Sequence, residues 1–222
     1  MLGKKVQFKK AKLPSKKILN SKYVVLEPIN INKHAKDLYV NFSKDKKNKI
    51  WTYLPYGPFK SYVNFKKWLV FFCLNKDPFF YAIYSKRHKQ YCGMASYLRI
   101  TPQHGTIEVG HINYSPLLQD TTEGTETMYL MIKNAFEVLG NRRYEWKCNN
   151  LNTSSKNAAI RLGFKYEGVF RQMFVIKGRN RDTAWFSIID KEWKNIRKGY
   201  LRFLSTKNFD KNFKQKRKLK FY

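Results

Sequence analysis

Lys147-Cys148-Asn149-Asn150-Leu151-Asn152-Thr153-Ser154-Ser155-Lys156-Asn157-Ala158-Ala159-Ile160-Arg161-Leu162-Gly163-Phe164 is the stretch on which the reading of the fold turns. Residues 143–148 lead into it with Tyr144, Trp146 and Cys148 at alternate positions, the period of a strand. Over residues 153–162 the period changes. Ala158, Ala159 and Leu162 share one helical face, and Gly163 supplies a stop. Asn and Ser at such a junction ordinarily cap helices and shape turns. The stretch therefore reads as strand, turn and short helix, with another strand at about 164–175.

The same reasoning extends outward in both directions. Upstream, Met128, Met131, Ile132, Ala135, Phe136 and Leu139 recur at i, i+3, i+4, i+7, i+8 and i+11, one apolar helix face that Gly140 can end. Strands are expected at 79–84, 91–100 and 106–114, with His104 and Gly105 as a turn. Earlier still come a strand at 23–29, a helix capped by Asn32 and running to about Phe42, and a charged loop at 44–49. A loop rich in Pro, Gly and aromatics follows at 51–59, then a helix at 61–74. Downstream, a strand at 184–190 and a helix at 192–204 complete the pattern. The order β-α-α-β-β-β-α-β-α-β-β, then a helix, predicts an α+β or mixed α/β domain. It spans residues 23–206, with a flexible basic arm at 1–22 and a basic tail at 207–222.

The 222 residues carry 45 Lys and Arg against 15 Asp and Glu, a formal net charge of +30. Residues 1–20 account for +7 of this and residues 207–222 for +6, so the body is basic too. Basic terminal arms suit weak contact with RNA, a ribosome or anionic lipid, but solvated lysines need no partner. No apolar run is long enough to span a membrane, and the lysine-rich start does not read as a secretory signal. Cys73, Cys92 and Cys148 are odd in number and scattered, so a reducing, cytoplasmic setting is expected, with no disulfide framework and no metal site.

A helix that starts near residues 121–125 and follows a strand offers unpaired N–H groups and a partial positive charge to a phosphate. Gly124 would let backbone approach a ligand closely. Asp120, Glu123 and Glu126 sit in that first turn with no basic residue among them. Asp120 with Glu123 reads equally well as a capping box.

At this point the sequence resembles the GNAT superfamily of N-acetyltransferases, closest to the ribosomal-protein N-terminal acetyltransferases and their small-molecule-modifying relatives. Three blocks carry the resemblance. The central one is Lys147-Cys148, Asn152-x-x-Ser155, Ala159, Leu162-Gly163-Phe164 and Glu167-Gly168. Upstream stand Glu108-Val109-Gly110, Pro116, Gln119 and Thr125-Glu126, and downstream Lys177-Gly178-Arg179, Asp182 and Trp185. One departure is plain: the family's loop usually reads Gln/Arg-x-x-Gly-x-Gly/Ala, and here Gln119-x-x-Thr122-x-Gly124 lacks the middle glycine and carries acids.

The resemblance implies the GNAT acyltransferase fold, a twisted, mostly antiparallel sheet of about seven strands flanked by four or five helices. It implies acetyl-CoA as co-substrate, without a metal, and direct attack by a primary amine in a ternary complex. Ile112, Asn113, Tyr114, Gln119, Thr121, Thr122, Gly124, Thr125, Asn152 and Ser155 are the implied coenzyme contacts. A backbone N–H near 112–114 would polarise the thioester carbonyl, and Ser155 would protonate the leaving thiolate. Cys148 would lie near the reaction centre, as a packed residue before a nucleophile. Glu108, His111 and Glu145 are candidates to take the amine's proton. Trp51, Tyr53, Tyr56 and Phe59 would line the acceptor side, or form a satellite core under their loop. The acceptor is either a small aminoacyl-type molecule or a protein N-terminus, and monomer and homodimer both stay open. The other reading is a basic RNA- or ribosome-binding protein on a catalytically idle acyltransferase fold.

Overall fold

Alternation along the central strands sorts their side chains into two cores. In β3 (Phe79–Ser85), Tyr81 and Ile83 join one apolar cluster while Phe80 and Ala82 join another. β4 (Gln90–Thr101) divides likewise, Cys92, Ala95 and Tyr97 against Tyr91 and Met94. Helices α1 (Ile31–Phe42) and α2 (Tyr62–Cys73) cover the second face through Leu38, Phe42, Phe65 and Leu69. Helices α3 (Thr122–Lys133) and α5 (Asp190–Leu204) cover the first through Met131, Ile132, Trp193 and Tyr200.

These elements come from a computed structural model that describes residues 2–211 and 215–221. Met1 of the expected arm, and residues 212–214 and 222 of the expected tail, lie outside the described residues. The other strands are β1 (Leu19–Asn20), β2 (Val24–Pro28), β5 (Thr106–Tyr114), β6 (Arg143–Asn149), β7 (Lys165–Ile176) and β8 (Arg179–Ile189), with α4 (Thr153–Arg161) between β6 and β7. They form one sheet in the order β1-β2-β3-β4-β5-β6-β8-β7. The mixed α/β class and the mostly antiparallel sheet agree with the sequence reading. The strand beyond the expected seven is β1, two residues long.

Three local details differ from expectation. Asn30 rather than Asn32 caps α1, its side chain accepting the Lys33 N–H at 3.1 Å. The apolar face from Met128 to Leu139 is not one α-helix. After Lys133 the chain widens into a π-helical turn, Asn134–Val138. The Ala135 carbonyl then takes both the backbone and the side-chain N–H of Asn141, and Gly140 reverses the chain at φ +76°. Third, the segment read as an arm meets the body: Ala11 donates to the Pro102 carbonyl at 3.1 Å and Lys12 to that of Leu139 at 2.7 Å. Phe8 lies over Gly105, where any side chain would collide with its ring. Its eight lysines stay exposed. In the tail, Phe221 packs on Tyr200, and Asn208 accepts the Arg217 N–H at 2.9 Å.

Candidate active site

The one parallel pair in the sheet, β5–β6, runs from Thr106 opposite Arg143 to Val109 opposite Trp146 and stops there. Beyond that point β5 continues to Tyr114 and β6 to Asn149 without pairing to each other. A bulge accompanies the parting. Met94 and Ser96 of β4 face Asn113 and Gly110, so β5 carries one extra residue, near His111 at φ +49°. A bulge bends its strand, and this one lies just past the last β5–β6 pair. The opening lies at the carboxyl ends of two parallel strands, where open α/β sheets bind ligands. It holds a cleft of about 770 Å³.

One end of the cleft is the start of α3. Thr121 is the cap, its Oγ1 accepting the Gly124 N–H at 3.0 Å, so the Asp120–Glu123 capping box does not form. Glu126 is engaged elsewhere: it accepts Ser21 Oγ at 2.8 Å and the N–H groups of Tyr23 and Val24 at 2.7 and 3.0 Å, tying β1 and β2 to α3. Gly124 is needed inside the protein, because a Cβ there would lie 2.8 Å from the Leu118 carbonyl oxygen. The cation missing from the loop comes from α4. Arg161 lines the cleft and donates to Thr125 Oγ1 at 3.2 Å. The sequence reading overlooked Arg161, although Ser155, Ala158 and Arg161 are spaced three apart on one helix and all line the cleft.

The middle of the cleft is the β6–α4 junction. Asn152 does cap α4, its Oδ1 accepting the Ser155 N–H at 3.1 Å, and it faces the cleft as well. Ser155 Oγ accepts the Trp146 indole N–H at 3.0 Å, which leaves the hydroxyl proton for another acceptor. Burial pushes the Cys148 thiol up, against a hydrogen bond with Ser155, so it is a packed thiol rather than a thiolate. Asn113 is 1% exposed and lines the cleft, yet neither end of its amide has a partner. Leaving such a group unmade costs roughly 1–3 kcal/mol. Of the ten expected coenzyme contacts, Thr122 alone does not line the cleft.

The other end is a chain of charges. Glu108 takes Arg99 at 2.8 Å and Lys147 at 2.9 Å; Lys147 also reaches Glu145 at 2.8 Å; Arg143 bridges Glu145 at 2.6 Å and Glu167. Lys147, with its side chain 5% exposed, also sits 3.7 Å from the Trp185 ring centroid. Burial raises Glu145, but hydrogen bonds from Arg143 and Lys147 outweigh it and hold the carboxylate below its usual range. Glu145 does not line the cleft. Burial lifts Glu108 above the usual value despite Arg99 and Lys147. Burial, reinforced by Arg99 and Arg181, holds His111 at about 4, and its Nδ1 is engaged with Tyr56 Oη at 3.1 Å.

The four aromatics expected on the acceptor side separate. Tyr53 lines the cleft, and its hydroxyl donates to the Leu151 carbonyl at 3.1 Å. Trp51 is 4% exposed, and Phe59 packs against Trp51, Phe65 and Trp68 in the second core. Tyr56 stacks on His111 from behind. These three do not line the cleft.

Comparison with known proteins agrees with this fold. The family model described as an acetyltransferase (GNAT) domain matches residues 24–165. The structure of a GCN5-related N-acetyltransferase from Brucella melitensis is 40% identical, with 95% of each chain covered and a TM-score of 0.93. That of a probable GNAT-family acetyltransferase from Chromobacterium violaceum is 37% identical, covering 87% of this chain and 96% of that one, with a TM-score of 0.81. A ribosomal L7/L12 α-N-protein acetyltransferase solved with coenzyme A shares the fold at 19% identity, covering 78% and 99%, with a TM-score of 0.66. No curated protein sequence matches the chain.

Proposed function

Because this chain belongs to the GNAT acetyltransferase family, we propose that it moves an acetyl group from acetyl-CoA to a primary amine, with both bound at once in the β5–β6 cleft. The observation that carries this reading is the parting of β5 from β6 beside a helix start and an orphaned buried amide, Asn113. Acetyl-CoA would supply an activated acyl thioester. The residues present suit it. The leading N–H groups of α3 favour a pyrophosphate, and Arg161 adds the positive charge. The Asn113 side chain, or the backbone of Ile112–Tyr114, can meet amide groups of a long polar arm.

Ser155 is the proton donor for the departing thiolate, with Trp146 fixing its oxygen. Asn152 positions Ser155 through the cap. Of the three candidate proton acceptors, Glu108 fits best. It lines the cleft with a raised pKa, whereas Glu145 is ion-paired outside the cleft and His111 is a weak base. The exposed lysines of the two termini would add a salt-dependent contact with RNA that acetyl transfer does not require.

A thiol-release screen with acetyl-CoA over small amines, amino acids and peptides tests the proposal. Turnover that needs both the amine and Ser155 is expected. Coenzyme binding without turnover on any amine would instead favour the idle-fold reading.

A further inference from the structure

The charge chain Arg99–Glu108–Lys147–Glu145–Arg143–Glu167 is complete, three cations with three carboxylates. Arg181 stands beside it and outside it. It comes from β8, directly opposite Phe174 of β7, and lines the cleft with Phe174 and Arg99. Two guanidinium groups approach the Phe174 ring, Arg99 at 5.9 Å and Arg181 at 5.6 Å. Among the described residues no carboxylate pairs with Arg181, and its Nε is buried with no hydrogen-bond partner. Its charge is felt at Cys148 and at His111, on the two diverging strands. A partly desolvated guanidinium without an acceptor is costly, and its planar fork matches one anion above others, a carboxylate taken through two parallel N–H groups.

We propose that Arg181, flanked by Arg99 and Phe174, is the subsite for a carboxylate carried by the acceptor itself, so that the substrate is a free amino acid. A polypeptide N-terminus would present a neutral amide there. The surroundings also suit a small acceptor. The loop bearing Tyr53 is tied to the β6–α4 turn through the Leu151 carbonyl, and Lys177 of the β7–β8 turn donates to the Trp51 carbonyl at 2.9 Å. Arg161 lies at the α3 end, so the cations of the coenzyme end and the acceptor end are separate. This inference rests on the acetyl-transfer reading above.

The test uses the full chain with acetyl-CoA and matched acceptors, each of the twenty amino acids against its own carboxamide. The wild type should prefer at least one acid over its amide by about tenfold or more in kcat/KM. Arg181→Gln should collapse that ratio toward one, mainly through a raised KM for the acid, and Arg181→Lys should restore part of it. Equal use of acid and amide, a ratio unchanged in Arg181→Gln, or turnover confined to peptides would overturn the inference. Calorimetry separates the two layers. If the folded wild type fails to bind acetyl-CoA, the acetyl-transfer reading has failed. Titration with the N-acetylated amino acids then judges the subsite alone. Binding weakened in Arg181→Gln supports it, and binding that is absent or unchanged overturns it.

Discussion

The two ends of the cleft are made of different materials. The α3 end is mostly backbone: a helix start, a threonine cap and one cation, Arg161, brought from α4. The far end is built of side chains, with the lining charges Arg99, Glu108, Lys147 and Arg181 contributed by β4, β5, β6 and β8. Backbone donors persist when side chains change, which is how Gln119–Glu126 can lack the usual glycine and still present a helix terminus. The charged end has no such reserve, because each group there depends on its partners. A coenzyme common to a family suits the first construction, and discrimination among acceptors suits the second.

That contrast can be broken experimentally, beginning at the charged end. Lys147→Met would leave Glu108 and Glu145 buried without their shared cation, and should destabilise the fold by about 3–5 kcal/mol in denaturant titration. A loss under 1 kcal/mol would mean that Arg99 and Arg143 suffice for those carboxylates without Lys147.

The next largest effect concerns pH. Burial holds His111 at about 4, whereas an unfolded histidine titrates near its model value of 6.5. Between those values the unfolded chain binds more protons, so stability falls as the pH drops through the window, and the penalty is complete below 4. It amounts to about 3 kcal/mol. His111→Asn, which tolerates the left-handed backbone, should remove this slope. Glu108 and Glu126, both raised by burial, act in the opposite sense, so the difference between variant and wild type isolates His111. Identical acid profiles would mean that the imidazole titrates normally.

Smaller effects belong to the junction between the two ends. Ser155→Ala should lower kcat about 100-fold with acetyl-CoA affinity retained. Asn152→Ala should cost about 1 kcal/mol of stability through the lost cap, with turnover reduced because Ser155 shifts. If Asn152→Ala keeps wild-type turnover, the cap does not position Ser155.

Much of this was legible in the sequence, and the rest was hidden for physical reasons. The alternation of Tyr144, Trp146 and Cys148 and the helix stop at Gly163 placed β6 and α4 almost to the residue. The family resemblance implied that strands 106–114 and 144–148 splay apart, but no residue marked where, because the bulge rests on a positive φ at His111, a residue with no glycine-like signature. The π-helical turn after Lys133 was hidden because Ala135, Phe136 and Leu139 keep a helical period through it. The Lys147 network could not be read because its members come from strands up to 68 positions apart in the chain, from Arg99 to Glu167. The acceptor-side aromatics were misleading in the opposite way. Trp51, Tyr56 and Phe59 are conspicuous in sequence, yet packing rather than the cleft claims them.

The central claim is that the α3 end receives acetyl-CoA although its loop is acidic and glycine-poor. Calorimetric titration of the wild type and of Arg161→Gln with acetyl-CoA tests it most directly. One-to-one binding by the wild type, weakened about tenfold or more in Arg161→Gln, is the predicted result. A folded wild type that takes up no acetyl-CoA would contradict it.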